Sequence, residues 1–409
     1  MRVEKRLKIE APYRGASVYA QSQSYTGKNG LRLIESVKHE MRKADDGRYG
    51  LPYYHKEIYR RVSEDNGRTW RRLENFYNED PCDLEGEHRH IPMHFLDPEN
   101  GLLLGMFLTY SLNPEKKSES FSDEGLINKT KRMKHQISSD GGLTWGREKI
   151  LVCDGAEYDE KHWGPGLFYG KNGCGGDLGH FIKMPDGSFI SAMTVNLEDG
   201  KRFQSVFVRG RWTPDQKNVK WEFGDYISVP LGKSTQGCCE PMPALLDDGR
   251  VFVSLRCCGD RENKAFPSLK YCAISSDGAK TFSEPKPLMY DDGTPVWSPS
   301  SYAGILRSSV NGRYYWFGNI LDAPTYGAYP RYPLRIAELI PEKGILIKSS
   351  VTLIDTKPAD FPEEWRRYTN FGFYEDRVTK EIVLSLPEQP RVSKKDFTSD
   401  CYEYRISVG

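Results

Sequence analysis

Glu240 and Arg256 stand at the two open ends of an apolar hairpin within GCCEPMPALLDDGRVFVSLRCCGD, Gly237 to Asp260. Pro243 to Leu246 reads as one strand, Asp247-Asp248-Gly249 as the turn and Val251 to Leu255 as the antiparallel return, so both charges come back to one sheet edge. A carboxylate beside a guanidinium there can serve a ligand site, or be a structural ion pair. Histidines form the second chemical set. In EHRHIPMH, His88 and His90 are two apart and share a face if the backbone is extended, and His94 joins them if the strand stays regular. His162 in KHWGPG and His180 in GGDLGHF add two more imidazoles. With Glu87 or Asp177, His88 and His90 could ligate zinc, but the spacing is not a zinc signature. No metal or other cofactor is therefore expected. GKNGCGG at Gly170 to Gly176 lacks the Lys-Ser/Thr ending of a phosphate loop and is not followed by a helical pattern.

The 409 residues suffice for a large core, and 58 basic against 57 acidic side chains give no net field for nucleic acid or an anionic membrane. No apolar run approaches membrane-spanning length, and the first residues, MRVEKRLKIEAPYRG, hold no signal-peptide core. Nine cysteines, including the neighbours Cys238/Cys239 and Cys257/Cys258, form no CxxC ladder and read as thiols of a reducing compartment. The expectation is a cytoplasmic protein without membrane insertion.

Three octets punctuate the chain: SEDNGRTW (Ser63 to Trp70), SSDGGLTW (Ser138 to Trp145) and SSDGAKTF (Ser275 to Phe282). Each follows a β-like run, giving a strand, Asp/Gly turn, strand unit in which Asp and Ser bond the local backbone and Trp or Phe plugs the strands. These octets resemble the Asp-box of sialidase-like propellers, a superfamily of glycoside hydrolases and related carbohydrate-active enzymes. Hairpins near Arg14 to Ile34, Ile91 to Phe107, Leu178 to Met193, Pro243 to Leu255, Tyr302 to Phe317 and Phe371 to Leu386 supply six units. The sequence thus predicts an all-β fold: one six-bladed β-propeller over residues 1–409, closed by pairing Lys5 to Ile9 with Tyr402 to Val408. Seven blades is the alternative count. Polar insertions at Asn113 to Lys131 and Gly259 to Phe266 are expected at blade rims.

The resemblance implies a site. In such a ring the loops entering the innermost strands converge on one mouth, where Arg14, Glu87, His88, His90, Asp177, His180, Glu240 and Tyr368 would meet. Arg14 in Tyr-Arg-Gly-Ala takes the place of the arginine that opens the first blade of sialidases, without their following Ile-Pro. Glu240 and Arg256 match the family's glutamate and second arginine, Arg331 before Leu334 its third arginine, and Tyr368-Thr369-Asn370-Phe371 its tyrosine motif. Three guanidiniums would hold one planar carboxylate, Tyr368 would act as nucleophile with Glu240 taking its proton, and Asp45 or Asp46 would protonate the leaving oxygen. Adjacent aspartates before glycine also read as a solvated turn.

The expected partner is an acidic oligosaccharide or glycoside, cleaved by an exo-acting hydrolase. Two other classes remain open: a polysaccharide lyase in which His90 or another histidine works with Tyr368 in β-elimination from a uronic acid, and a noncatalytic propeller binding glycan or protein. Trp163, Trp297, Tyr326 and Tyr329 could stack on sugar or pack between blades.

Overall fold

The computed structural model describes residues 1–41, 54–78, 87–111, 130–175, 180–197, 202–361, 366–389 and 398–409. Six blades follow one another along the chain, antiparallel except for Met289–Tyr290, which joins the fifth parallel to Ile345–Leu346. The first holds Ala16–Tyr25, Leu33–Met41, Tyr54–Ser63 and Arg71–Asn78. In the second, two short inner pieces, Glu87–Arg89 and Met93–Leu96, both pair with Leu103–Ser111, followed by Arg132–Ser138 and Lys149–Ile150. The third repeats that split, with Gly173–Gly175 and Phe181–Lys183 on Phe189–Asn196, then Phe203–Trp212 and Val219–Phe223. Blade four is Cys239–Leu245, Val251–Arg256, Lys270–Ser275 and Lys286–Pro287. Blade five runs Ala303–Arg307, Tyr314–Asn319, Leu334–Ile340 and Ile345–Leu346, with Thr352–Asp355 also on Leu334–Ile340. Blade six is Gly372–Glu375, Ile382–Pro387, Cys401–Ser407 and, as its outer strand, Arg2–Ile9.

The protein is a six-bladed β-propeller with its two chain ends in one blade. Arg2–Ile9 lies antiparallel to Cys401–Ser407, with Lys5 opposite Tyr404, as the alternating terminal sequences predict. Closure is visible in the apolar clusters, because each pair of neighbouring blades shares one. Ile34 and Val62 meet Leu103 between blades one and two, Met106 meets Phe189 and Val208 between two and three, and Phe207 meets Val253 between three and four. Phe252, Trp316 and Leu384 join blades four, five and six, and Tyr25 and Leu33 return to Tyr374 and Val383 of blade six. The first blade thus packs face to face on the last, which closes the ring.

The three octets adopt one hydrogen-bonded turn between third and fourth strands. In the first, Ser63 Oγ donates to Asp65 at 2.8 Å, Asp65 accepts from the N–H and hydroxyl of Thr69 at 2.8 and 2.6 Å, and Trp70 Nε1 donates to Gly67 O at 3.1 Å. Asp140 with Ser138 and Thr144, and Asp277 with Ser275 and Thr281, repeat the pattern. Two successive positive-φ residues make the turn possible, Asn66-Gly67, Gly141-Gly142 and Gly278-Ala279. Since strands alternate in direction, a turn after the third strand lies at the end opposite the loops that enter the first. Among the described residues no helix is long and apolar enough to cross a membrane.

Candidate functional site

Glu240 lies inside the first strand of blade four. It sits in a bulge between Cys239, opposite Arg256, and Met242, opposite Ser254, with φ at +45°. That conformation is costly for a residue with a β-carbon. The bulge is held by the Glu240 N–H, which donates to Thr194 Oγ1 of the neighbouring blade at 3.0 Å. It turns the carboxylate toward Arg256, whose Nη1 donates to Glu240 Oε1. The other oxygen, Oε2, is buried and accepts no hydrogen bond.

Arg256 continues outward to Ser300, donating from Nε to Oγ at 3.0 Å. Arg331 reaches the same residue from blade five, Nη2 to Ser300 O at 3.4 Å, and donates from Nε to Ala328 O at 3.0 Å. Burial first, and then the charge of Arg256, lower the Arg331 pKa to about 10. Arg367 adds to that repulsion and Glu240 opposes it. The side chains of Arg331 and Arg367 lie 5.3 and 5.6 Å from the centre of the same Tyr329 ring. The buried Nε of Arg367 has no hydrogen-bond partner. Positive charge thus exceeds negative in a desolvated corner that contains Glu240 and three arginines, Arg256, Arg331 and Arg367.

Next to this corner, Tyr302 is almost fully buried and its hydroxyl lies 2.8 Å from His180 Nε2. Burial pushes the Tyr302 phenol well above its ordinary value, and the Glu240 charge pushes it further. Burial lowers His180 to about 3, so its ring, stacked 4.3 Å from Phe373, stays neutral. His180 and Tyr302 also line a cavity of about 410 Å³ along the propeller axis, together with Gln21, His94, Phe181 and Phe371.

The other predicted residues are placed elsewhere or differently. The backbone of Tyr368 lies beside Arg331, its N–H donating to Arg331 O at 3.0 Å. The hydroxyl donates to Thr356 O at 2.9 Å and accepts from Arg366 Nε at 3.4 Å. Burial raises this phenol to about 12, and the charges acting on it are Arg366, Glu388 and Asp355. Among the described residues no hydrogen bond joins Tyr368 to Glu240. Arg14 is exposed on the segment entering the first blade, where Gly15 N donates to Thr398 Oγ1 at 2.7 Å.

His88 is buried, Nδ1 3.3 Å from Tyr77 Oη of blade one and stacked on Tyr110 of its own blade. His90, half-buried, links the two inner pieces of blade two and donates its N–H to Leu108 O at 2.9 Å. His162 belongs to a separate small hairpin, stacked 4.2 Å from Phe168 with Nδ1 3.0 Å from Glu157 O. Trp163 is fully buried against Phe223 and is core, not a sugar platform. Asp45, Asp46 and Asp177 lie outside the described residues. Among the described residues no group of three or more His, Cys, Asp or Glu could hold a metal ion.

No family model and no curated protein matches the sequence. Solved structures share the fold. A protein of unknown function from Dyadobacter fermentans is 15% identical over 98% of this chain and 99% of its own, with a TM-score of 0.63. The NanB sialidase from Streptococcus pneumoniae is 13% identical over 98% of this chain and 69% of its own, with a TM-score of 0.60. An α-L-arabinanase from Penicillium chrysogenum, complexed with arabinobiose, is 15% identical over 100% and 99%, with a TM-score of 0.56. At such identities the likeness is one of fold. The chain is a six-bladed propeller of the architecture that sialidase and arabinanase also use.

Proposed function

We propose that this propeller is a carbohydrate-active enzyme, a glycosidase that takes a terminal sugar bearing a carboxylate in the corner of Glu240, Arg256 and Arg331. The observation that carries this reading is the excess of guanidinium over carboxylate there, with Arg331 and Arg367 facing one tyrosine and making no ion pair among the described residues. A carboxylate ligand would relieve that repulsion and accept paired N–H donors from planar forks. Arg367 takes the place expected of Arg14 in this reading.

Glu240 Oε2 is the open acceptor for a proton. Tyr302, on which the Glu240 charge acts, replaces Tyr368 as the phenol associated with it. In hydrolysis, water supplies oxygen to the anomeric carbon, the glycosidic bond breaks and the leaving oxygen gains a proton. A second reading, lyase action on a uronic acid, is favoured by one contact, the 2.8 Å His180 to Tyr302 bond, which joins a neutral imidazole to a phenol. Binding of a carboxylate sugar compared with its neutral amide tests the shared part of both. Preference for the acid supports the site, and equal binding removes it.

A further inference from the structure

Lys270 opens the third strand of blade four and is about 1% exposed. Its Nζ donates to Pro299 O at 2.7 Å and to Ser301 O at 2.6 Å, the two carbonyls that flank Ser300. Ser300 is the residue on which Arg256 and Arg331 meet. We propose that Lys270 is a positioning residue for the anion corner: by pinning both neighbours of Ser300 it fixes the shelf that aims the two guanidiniums.

The rest of the shelf is anchored through backbone and serine contacts. Ser300 N donates to Gly327 O at 2.8 Å, and Ser268, two residues before Lys270, bonds Gly327 through its hydroxyl at 2.8 Å as donor and again as acceptor. The same hydroxyl accepts from Gly259 N at 2.8 Å, tying in the loop after Arg256. Lys270 therefore completes a frame that links the loop after Arg256, the segment before Arg331 and Ser300 between them. Burial first, and then Arg256, lower the Lys270 pKa to about 7, against the opposing charge of Glu240. The frame does not depend on the protonation state, because an ammonium offers three N–H donors and a neutral amine two, enough for both carbonyls.

This inference rests on the acid-sugar reading for its function but not for its geometry, and the experiment separates them. In the full chain, Lys270→Met is compared with the unaltered protein for the rate at which phenylglyoxal modifies Arg256 and Arg331, read peptide by peptide. Arg335, on the third strand of blade five and paired with Asp322, is the reference. Loss of the two anchoring bonds is expected to raise modification of Arg256 and Arg331 about fivefold, with Arg335 unchanged. Lys270→Gln, which keeps an amide donor, should rise less, and it carries the comparison if the methionine variant does not fold. Unaltered rates at both arginines in a folded variant would overturn the proposal. Binding of N-acetylneuraminate is measured alongside: weaker binding by Lys270→Met than by the unaltered chain supports the linkage to function. If the unaltered chain binds no acidic sugar while the labelling changes as expected, the acid-sugar reading fails and the positioning role stands.

Discussion

Arg256 and Arg331, from different blades, converge on Ser300, one on its hydroxyl at 3.0 Å and the other on its carbonyl at 3.4 Å. No carboxylate among the described residues is seen to bridge the two guanidiniums. Among the described residues the Glu240 carboxylate pairs with Arg256 alone, and more than four-fifths of each side chain is shielded from water. Removing either arginine should therefore cost ligand binding more than it costs fold.

Arg256→Ala is expected to weaken binding of an acidic sugar by about 10- to 100-fold, the range for a charge-assisted hydrogen bond lost from a shielded site. Arg256→Lys should recover little, since an ammonium cannot bond Glu240 and Ser300 with the same planar fork. Titration calorimetry with the sugar acid and its amide checks both. The acid-to-amide preference should shrink in each variant.

Arg367→Ala and Arg14→Ala separate the placements of the third guanidinium. Arg367 shares Tyr329 with Arg331, whereas Arg14 is exposed. Binding should fall about tenfold in Arg367→Ala and stay within about twofold in Arg14→Ala. The reverse order would restore the assignment that the sequence motif implies.

Acid should destabilise the fold through buried histidines. Burial lowers His94 and His180 to about 3 and His135 to about 4, from an ordinary 6.5. All three bind protons more readily when unfolded, so their contribution is complete above pH 6.5 and is lost as pH falls toward 3. Melting temperature should drop across that window. His135→Phe should flatten the fall by up to about 1.4 kcal/mol per pH unit, one proton's worth.

Gly142→Ala tests the octet turns. An added β-carbon would lie 2.5 Å from Ile34 Cδ1, in the contact between blades one and two, and φ there is +88°. Strain and clash together should cost about 2 kcal/mol or more, seen as a lower denaturant midpoint.

The blades were legible because each uses a local signal: alternating strands, a tight turn and an octet whose Ser, Asp and Thr satisfy one another. The sixteen-residue separation of Glu240 and Arg256 was equally readable, being set by one hairpin. What could not be read is where side chains turn once blades pack. The Tyr368 hydroxyl is captured by Arg366, two residues before it, and by the Thr356 carbonyl, twelve before it, and a motif that begins at Tyr368 contains neither partner. Trp163 has the composition of a sugar platform and the environment of a core. Ser300, Lys270, Tyr302 and Arg367 were missed for the complementary reason: each acts across a blade junction. The only trace in the sequence is the run Ser298 to Tyr302, four small or cyclic residues before an aromatic, all but fully buried.

The most direct test of the central claim is product analysis in oxygen-18 water with a panel of sialosides and uronic-acid oligosaccharides. Hydrolysis at the Glu240 corner predicts heavy oxygen at the released reducing carbon, only from acidic substrates, with turnover lost in Glu240→Gln. An unsaturated uronate absorbing in the ultraviolet and lacking the label, formed by the unaltered chain, would contradict hydrolysis and assign the site to elimination.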